Sequence, residues 1–217
     1  MGRLFTDARK VNLKLMETLR TNAQSLQDIF AMSIQGDRTY LEIGANHPVT
    51  HSNTYQLEVN AGWRGVSIEY NTDLVGDWKN QNERKQPICF GDALLFDYET
   101  VLTQYGFSKH LTYLSCDIDP PKHTYTALKR ILNQGFSFDC ITYEHDLYCT
   151  DRNYDLLSQK LLKSYGYKVA VYGVFPFGKP QDHFETWFVR KDIDITPCHF
   201  LEYLQRLCSN FNVEKVG

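Results

Sequence analysis

Carboxylates stand at or just beyond the end of nearly every apolar run in the first two thirds of this 217-residue chain. Glu42 and Gly44 fall in Tyr40-Leu41-Glu42-Ile43-Gly44-Ala45-Asn46-His47-Pro48, Glu69 closes Val66-Ser67-Ile68, and Asp92 follows Phe90-Gly91. Asp117 and Asp119 follow Leu114-Ser115-Cys116, and Glu144 with His145 follows Ile141-Thr142-Tyr143. Such groups can hold the hydroxyls and amines of a ligand, and a histidine beside a carboxylate can take a proton because its imidazole titrates near neutrality. Asp117, Asp119 and Glu144 also have the oxygen chemistry of a hard-cation site, Mg²⁺ or similar. Each residue has a plainer alternative. Glu69 reads equally as a solvated acid, Gly91-Asp92-Ala93 as a type I turn, and His145 as a hydrogen-bonded side chain at a strand end. His47 and His51 lack the spacing of a zinc site.

These residues need a frame that brings run ends together. Apolar spacing from Phe5 to about Ile34, with Val11, Leu15, Leu19, Leu26, Ile29 and Phe30, predicts a helical lead-in over residues 1–36, stopped by Gly36. Strand-like and helix-like segments then alternate. Strands are predicted at Thr39–Ile43, Gly65–Glu69, Gln86–Phe90, Leu111–Asp117 and Ser137–Tyr143. Between them, helices are predicted at Asn53–Asn60, Thr72–Asn80, Tyr98–Tyr105 and from Pro120-Pro121 to Asn133, with another carrying Tyr154, Leu157, Leu161 and Tyr165. Asn53 and Gln56 have capping-box spacing. The last two runs, Tyr167–Phe175 and Phe184–Val189, are joined by a loop with Gly173, Pro176, Gly178 and Pro180, and read as an antiparallel hairpin at the sheet edge.

Alternation of this kind requires parallel strands with right-handed helical crossovers. The expected fold is a doubly wound, seven-stranded, mostly parallel sheet in a three-layer αβα sandwich, with residues 37–217 as one domain after the lead-in. In such sheets ligands bind beyond the carboxyl ends of the strands, where the carboxylates stand. Only one glycine of a dinucleotide fingerprint is present, which argues against a nicotinamide cofactor. The net charge of −3 disfavours a nucleic-acid partner. Six cysteines without a C-x-x-C pair read as reduced, mostly buried thiols. With no long apolar stretch, a cytoplasmic protein without membrane attachment is expected.

Several segments, in order, resemble the FkbM family of S-adenosylmethionine-dependent O-methyltransferases. They are Glu42-Ile43-Gly44-Ala45-Asn46, Ser52-Asn53-Thr54-Tyr55-Gln56-Leu57-Glu58, Gly62-Trp63-Arg64-Gly65, Ile68-Glu69, Leu114-Ser115-Cys116-Asp117-Ile118-Asp119, Ile141-Thr142-Tyr143-Glu144-His145, Gly166-Tyr167 and Phe184-Glu185-Thr186-Trp187-Phe188-Val189. The resemblance covers about residues 39–190. It implies that Glu42, Gly44 and Glu69 hold S-adenosylmethionine, with Ala45, Asn46, Asn53, Tyr70, Asp92, Ala93 and Asp117 around it. It also places Asp117, Asp119, Glu144 and His145 at the acceptor. Pro48 stands where many relatives have a second glycine, so the loop after Asn46 is expected to differ.

Methyl transfer from a sulfonium chiefly needs alignment of the acceptor and removal of its proton. His145 is one expected base. Asp117, Asp119 and Glu144 could instead hold a divalent cation, the donor's ammonium, or the acceptor itself. The acceptor is expected to be a small molecule, sugar or glycan. A non-catalytic binding protein of the same fold and a nucleic-acid methyltransferase remain the alternatives, and Pro197–Cys208 could form a lid or a subunit contact in a homo-oligomer.

Overall fold

A computed structural model describes residues 20–150, 153–176 and 179–211, with side chains as far as residue 206. Val11, Leu15 and Leu19 of the expected lead-in, Gly178 and the Cys208 side chain lie outside the described residues. Five strands run parallel to one another: β1 (Thr39–Ile43), β2 (Arg64–Glu69), β3 (Ile88–Phe90), β4 (His110–Cys116) and β5 (Ser137–Glu144). The chain then adds β6 (Tyr167–Val174), β7 (Glu185–Arg190) and the two-residue β8 (Cys198–His199). The order across the sheet is β3-β2-β1-β4-β5-β7-β6-β8.

One expectation is corrected at this end: the sheet has eight strands rather than seven. The expected antiparallel hairpin is present as β6–β7, with β7 inserted between β5 and β6. β8 pairs parallel with β6 through only Val171–Cys198 and Tyr172–His199. A two-residue strand has no alternation to read, so periodicity could not reveal it.

Both faces of the sheet are covered, which is why strands such as β1 are apolar on both sides. One face carries Tyr40, Tyr113, Trp187 and Val189 against α1 (Gln27–Ser33), α2 (Tyr55–Val59) and α7 (Phe200–Phe211). The other carries Leu41, Ile43, Leu114 and Ile141 against α4 (Tyr98–Gln104), α5 (Pro121–Asn133) and α6 (Tyr154–Ser164). α5 shows the cause plainly. Its buried residues Thr124, Ala127, Leu128, Ile131 and Leu132 recur at helical spacing, and Pro121 opens its first turn. Each large apolar side chain so buried contributes about 1.5–3 kcal/mol.

The helical lead-in is shorter than its spacing predicts within the described residues. Leu26 has φ 69, and the helix begins only at Gln27. The buried Asp28 carboxylate accepts from Thr21 Oγ1 (2.8 Å) and the Asn22 amide (3.2 Å), folding the preceding segment back, and Ala23 bridges to His51. Asn53 does not cap α2 either. Ser52 Oγ accepts from the Thr54 and Tyr55 amides, while Asn53 Nδ2 reaches across to Ser115 Oγ at 3.0 Å. The polar helix expected at Thr72–Asn80 is a 3₁₀ turn, Thr72–Leu74, running into α3 (Val75–Asn80). No helix among the described residues is long and apolar enough to cross a membrane.

Candidate active site

β1 and β4 are neighbours, yet the chain leaves β1 toward β2 on one side and later resumes at β4 on the other. The loops after the two strands therefore part, and a crevice forms at the switch point. A cavity of about 560 Å³ opens there, lined by Gly44, Asn46, Glu69, Tyr70, Asp92, Ala93, Asp117 and Asp119. Its size suits a cofactor-sized ligand. Asn71, Leu74 and His123 also line it; they were not singled out, because exposed side chains after strand ends carry no period to mark them.

Gly44 sits where β1 turns toward α2, with φ 85. Its N–H and that of Ala45 both donate to the Ile68 carbonyl at 3.0 Å, which fixes the first turn against β2. The glycine is required by the protein itself as well as by any ligand, since a β-carbon there would meet the Asp117 carbonyl oxygen. Glu69 turns its carboxylate back along the crevice wall. Its Oε2 accepts from the Asn46 amide at 2.7 Å and its Oε1 from the Asn71 amide at 2.6 Å. A carboxylate has about four acceptor positions, so the remaining ones are open to hydroxyls. Asp92 forms an Asx turn, accepting from the Leu94 amide at 2.8 Å, and presents Ala93 beside it. Tyr70 is 74% exposed at the rim.

Glu42, Ala45 and Asn53 are not among the lining residues. Glu42 is buried behind the wall, where its Oε2 accepts from Thr54 Oγ1 (2.7 Å) and Ser67 Oγ (2.6 Å) and lies 3.7 Å from Arg84 Nη2. Burial pushes its carboxyl above the usual range, against the opposing pull of Arg84. Arg84 was missed in the sequence, because it stands in a charged, loop-like stretch. It is 4% exposed and also bonds Glu58 at 2.8 Å. The Asn53 amide is buried with its Oδ1 unpartnered. Glu42 thus belongs to a buried ionic cluster that supports the turn.

At the β4 and β5 tips, Asp117 and Glu144 are hydrogen bonded to each other. Burial, then the Asp117 charge, hold Glu144 well above the ordinary carboxylate range. Burial also raises Asp117, with Asp119 and Glu69 adding to it. Two further acids stand close by. Asp146 is pushed up to about 6 by burial and by Asp117 and Asp119. Glu185, opposite Glu144 across β5–β7, is pushed up to about 8 by burial and by Asp117. Glu185 accepts from Gln27 Nε2 (2.9 Å) and Trp187 Nε1 (2.5 Å).

One expectation fails here. Asp117, Asp119 and Glu144 do not form a metal site, and among the described residues no three His, Cys, Asp or Glu side chains are grouped to hold one. His145 lies apart from the cavity. It is 2% exposed and absent from the cavity lining; its Nδ1 accepts from the Leu147 amide at 3.2 Å, and its Nε2 faces Thr186 Oγ1 at 3.2 Å. Thr186 in turn donates to Asp155 at 2.8 Å. Burial lowers the imidazole to about 4.

No protein-family model and no curated protein sequence matches the chain. Solved structures do match in fold. Magnesium protoporphyrin IX methyltransferase from Synechocystis PCC 6803, with S-adenosylmethionine bound, aligns at TM-score 0.52 and 10% identity, over 88% of this chain and 85% of that one. The S. pombe Dnmt2 methyltransferase aligns at 0.54 and 11% identity, over 82% of this chain, which spans only 56% of Dnmt2. A spermidine synthase in complex with the transition-state analogue AdoDATO aligns at 0.50 and 10% identity, over 98% of this chain and 73% of that one. At such identities the likeness is one of architecture. The chain has the class I fold of S-adenosylmethionine-dependent methyltransferases.

Proposed function

We propose that the chain is an S-adenosylmethionine-dependent methyltransferase of the FkbM kind, which methylates a hydroxyl of a small molecule, sugar or glycan. The observation that carries the reading is the cavity at the switch point, whose wall combines Gly44, Glu69, Asp92-Ala93 and Asp117. These residues fit the cofactor chemically. Glu69 would take ribose hydroxyls with its open lone pairs, Asp92 and Ala93 would face the base, and Asp117 would face the donor's ammonium. The cofactor supplies an activated methyl group on sulfur. The chain's own residues orient the acceptor and move its proton.

For that proton, Asp117, which lines the cavity, is the proposed acceptor in place of His145, with Glu144 beside it but outside the lining. A carboxylate whose hold on a proton is raised by burial can take one that an ordinary exposed carboxylate would not. The crevice wall carries Glu69, Asp92, Asp117 and Asp119 with no Lys or Arg among its lining residues, which favours an acceptor without phosphates over a nucleic acid. Calorimetry with S-adenosylmethionine and S-adenosylhomocysteine tests the reading. Micromolar binding is expected; no heat with either compound at ~1 mM, equivalent to about 4 kcal/mol, would reject it. Binding without methyl transfer to any of a panel of hydroxylated acceptors would instead favour the non-catalytic alternative.

A further inference from the structure

The loop after Gly44 contains a non-glycine residue in the left-handed region, Asn46 with φ 50. Asn46 is held from two directions. Its N–H donates to Glu69, and its carbonyl accepts from the Trp78 indole Nε1 at 2.8 Å. Two residues later the Pro48 carbonyl accepts from Arg84 Nη1 at 3.3 Å. Arg84 and Trp78 act as one unit, because the guanidinium lies 4.5 Å over the indole ring. Arg84 is itself anchored on Glu58 and Thr54, with Nη2–Thr54 Oγ1 at 2.7 Å. Neither Trp78 nor Arg84 lines the cavity, although Asn46 does.

We propose that Trp78 and Arg84 are positioning residues for the cofactor: they clamp the Asn46–Pro48 loop so that this wall of the cavity is formed before the ligand arrives. The inference rests on the function proposed above. The physical basis is preorganisation. An asparagine tolerates the left-handed region only at a cost, and a loop released from both carbonyl bonds would relax and have to be reordered on binding, which weakens affinity without removing any ligand contact. Trp78 sits on α3, outside the strand ends where site residues are sought, so its role depends on the indole N–H meeting one carbonyl.

The test is Trp78→Phe, which keeps an aromatic ring beside Arg84 and removes the indole donor with part of the ring. S-adenosylhomocysteine binding is measured by calorimetry well below the unfolding transition, beside the wild type. A rise in Kd of about 5–20-fold is expected, with faster amide exchange at Asn46 in the free variant and kcat within about twofold of wild type at saturating cofactor. Arg84→Lys, which cannot fork to Pro48 and Glu58 together, should act in the same direction. Unchanged affinity in folded Trp78→Phe would overturn the clamp and assign both residues to stability alone. Failure of the wild type to bind would reject the proposed function and the clamp with it, an outcome distinct from unchanged affinity in the variant.

Discussion

A β-carbon on Gly44 would stand 1.6 Å from the carbonyl oxygen of Asp117. The first turn of the crevice and the acid-bearing end of β4 therefore touch through backbone alone. Neither can shift without moving the other, which ties the proposed cofactor wall to the proposed proton acceptor at the end of β4. Because Gly44 also has φ 85, two separate constraints demand glycine there.

Gly44→Ala should accordingly cost at least about 3 kcal/mol of folding stability, since backbone strain and a backbone clash act together. Urea denaturation measures it. A variant as stable as wild type would mean that β4 yields more readily than its paired register suggests.

Glu69→Gln should weaken S-adenosylhomocysteine binding by about 10–100-fold, the effect of losing charge-assisted bonds worth ~1.5–3 kcal/mol. Some stability should be lost too, because one of the Asn46 and Asn71 amides loses a charged acceptor. Calorimetry and a denaturation curve on the same preparation separate the two effects.

Glu144→Gln removes the ionisable neighbour of Asp117 while keeping the side chain's size. Turnover should fall by about 10–100-fold with cofactor affinity nearly unchanged, as for loss of a group that raises the proton affinity of the acceptor Asp117. Activity close to wild type would move the acceptor chemistry away from the β4 and β5 tips.

His145→Gln should leave turnover at pH 8 within a few-fold of wild type, since neither imidazole nitrogen faces the cavity. It should change acid stability instead. Above pH 6.5 the imidazole is neutral in both states and its contribution is fully present. As pH falls from 6.5 toward 4, the unfolded chain binds a proton that the folded one refuses, so up to about 3 kcal/mol is lost. Asp28, Asp146 and Glu185, all raised by burial, act in the opposite sense, losing their stabilisation as pH rises. The difference between variant and wild type, read as melting temperature against pH, isolates the histidine; parallel curves would contradict the assignment.

Much of the sheet was legible because its signals are local. β1, β2 and β4 are short apolar runs ended by acids, and α5 shows its stripe and its leading prolines in the sequence itself. Gly44, Asn46, Glu69, Tyr70, Asp92, Ala93, Asp117 and Asp119 gather around one cavity because parallel strands all deliver their carboxyl ends to the same side. That much follows from alternation alone.

Which acid faces the ligand does not follow. Glu42 and Glu69 look alike in sequence, each an acid closing a strand, yet Glu42 is turned inward by Arg84, 42 residues away, while Glu69 lines the cavity. His145 and Glu144 are adjacent, but successive residues on a strand point to opposite faces, so only Glu144 meets Asp117. The placement of β7 between β5 and β6, the approach of Asp117 and Glu144 across β4 and β5, and the bond of Trp78 to Asn46 are all long-range pairings. Their energies depend on burial and on distance through space, and neither quantity is written in the order of residues along the chain.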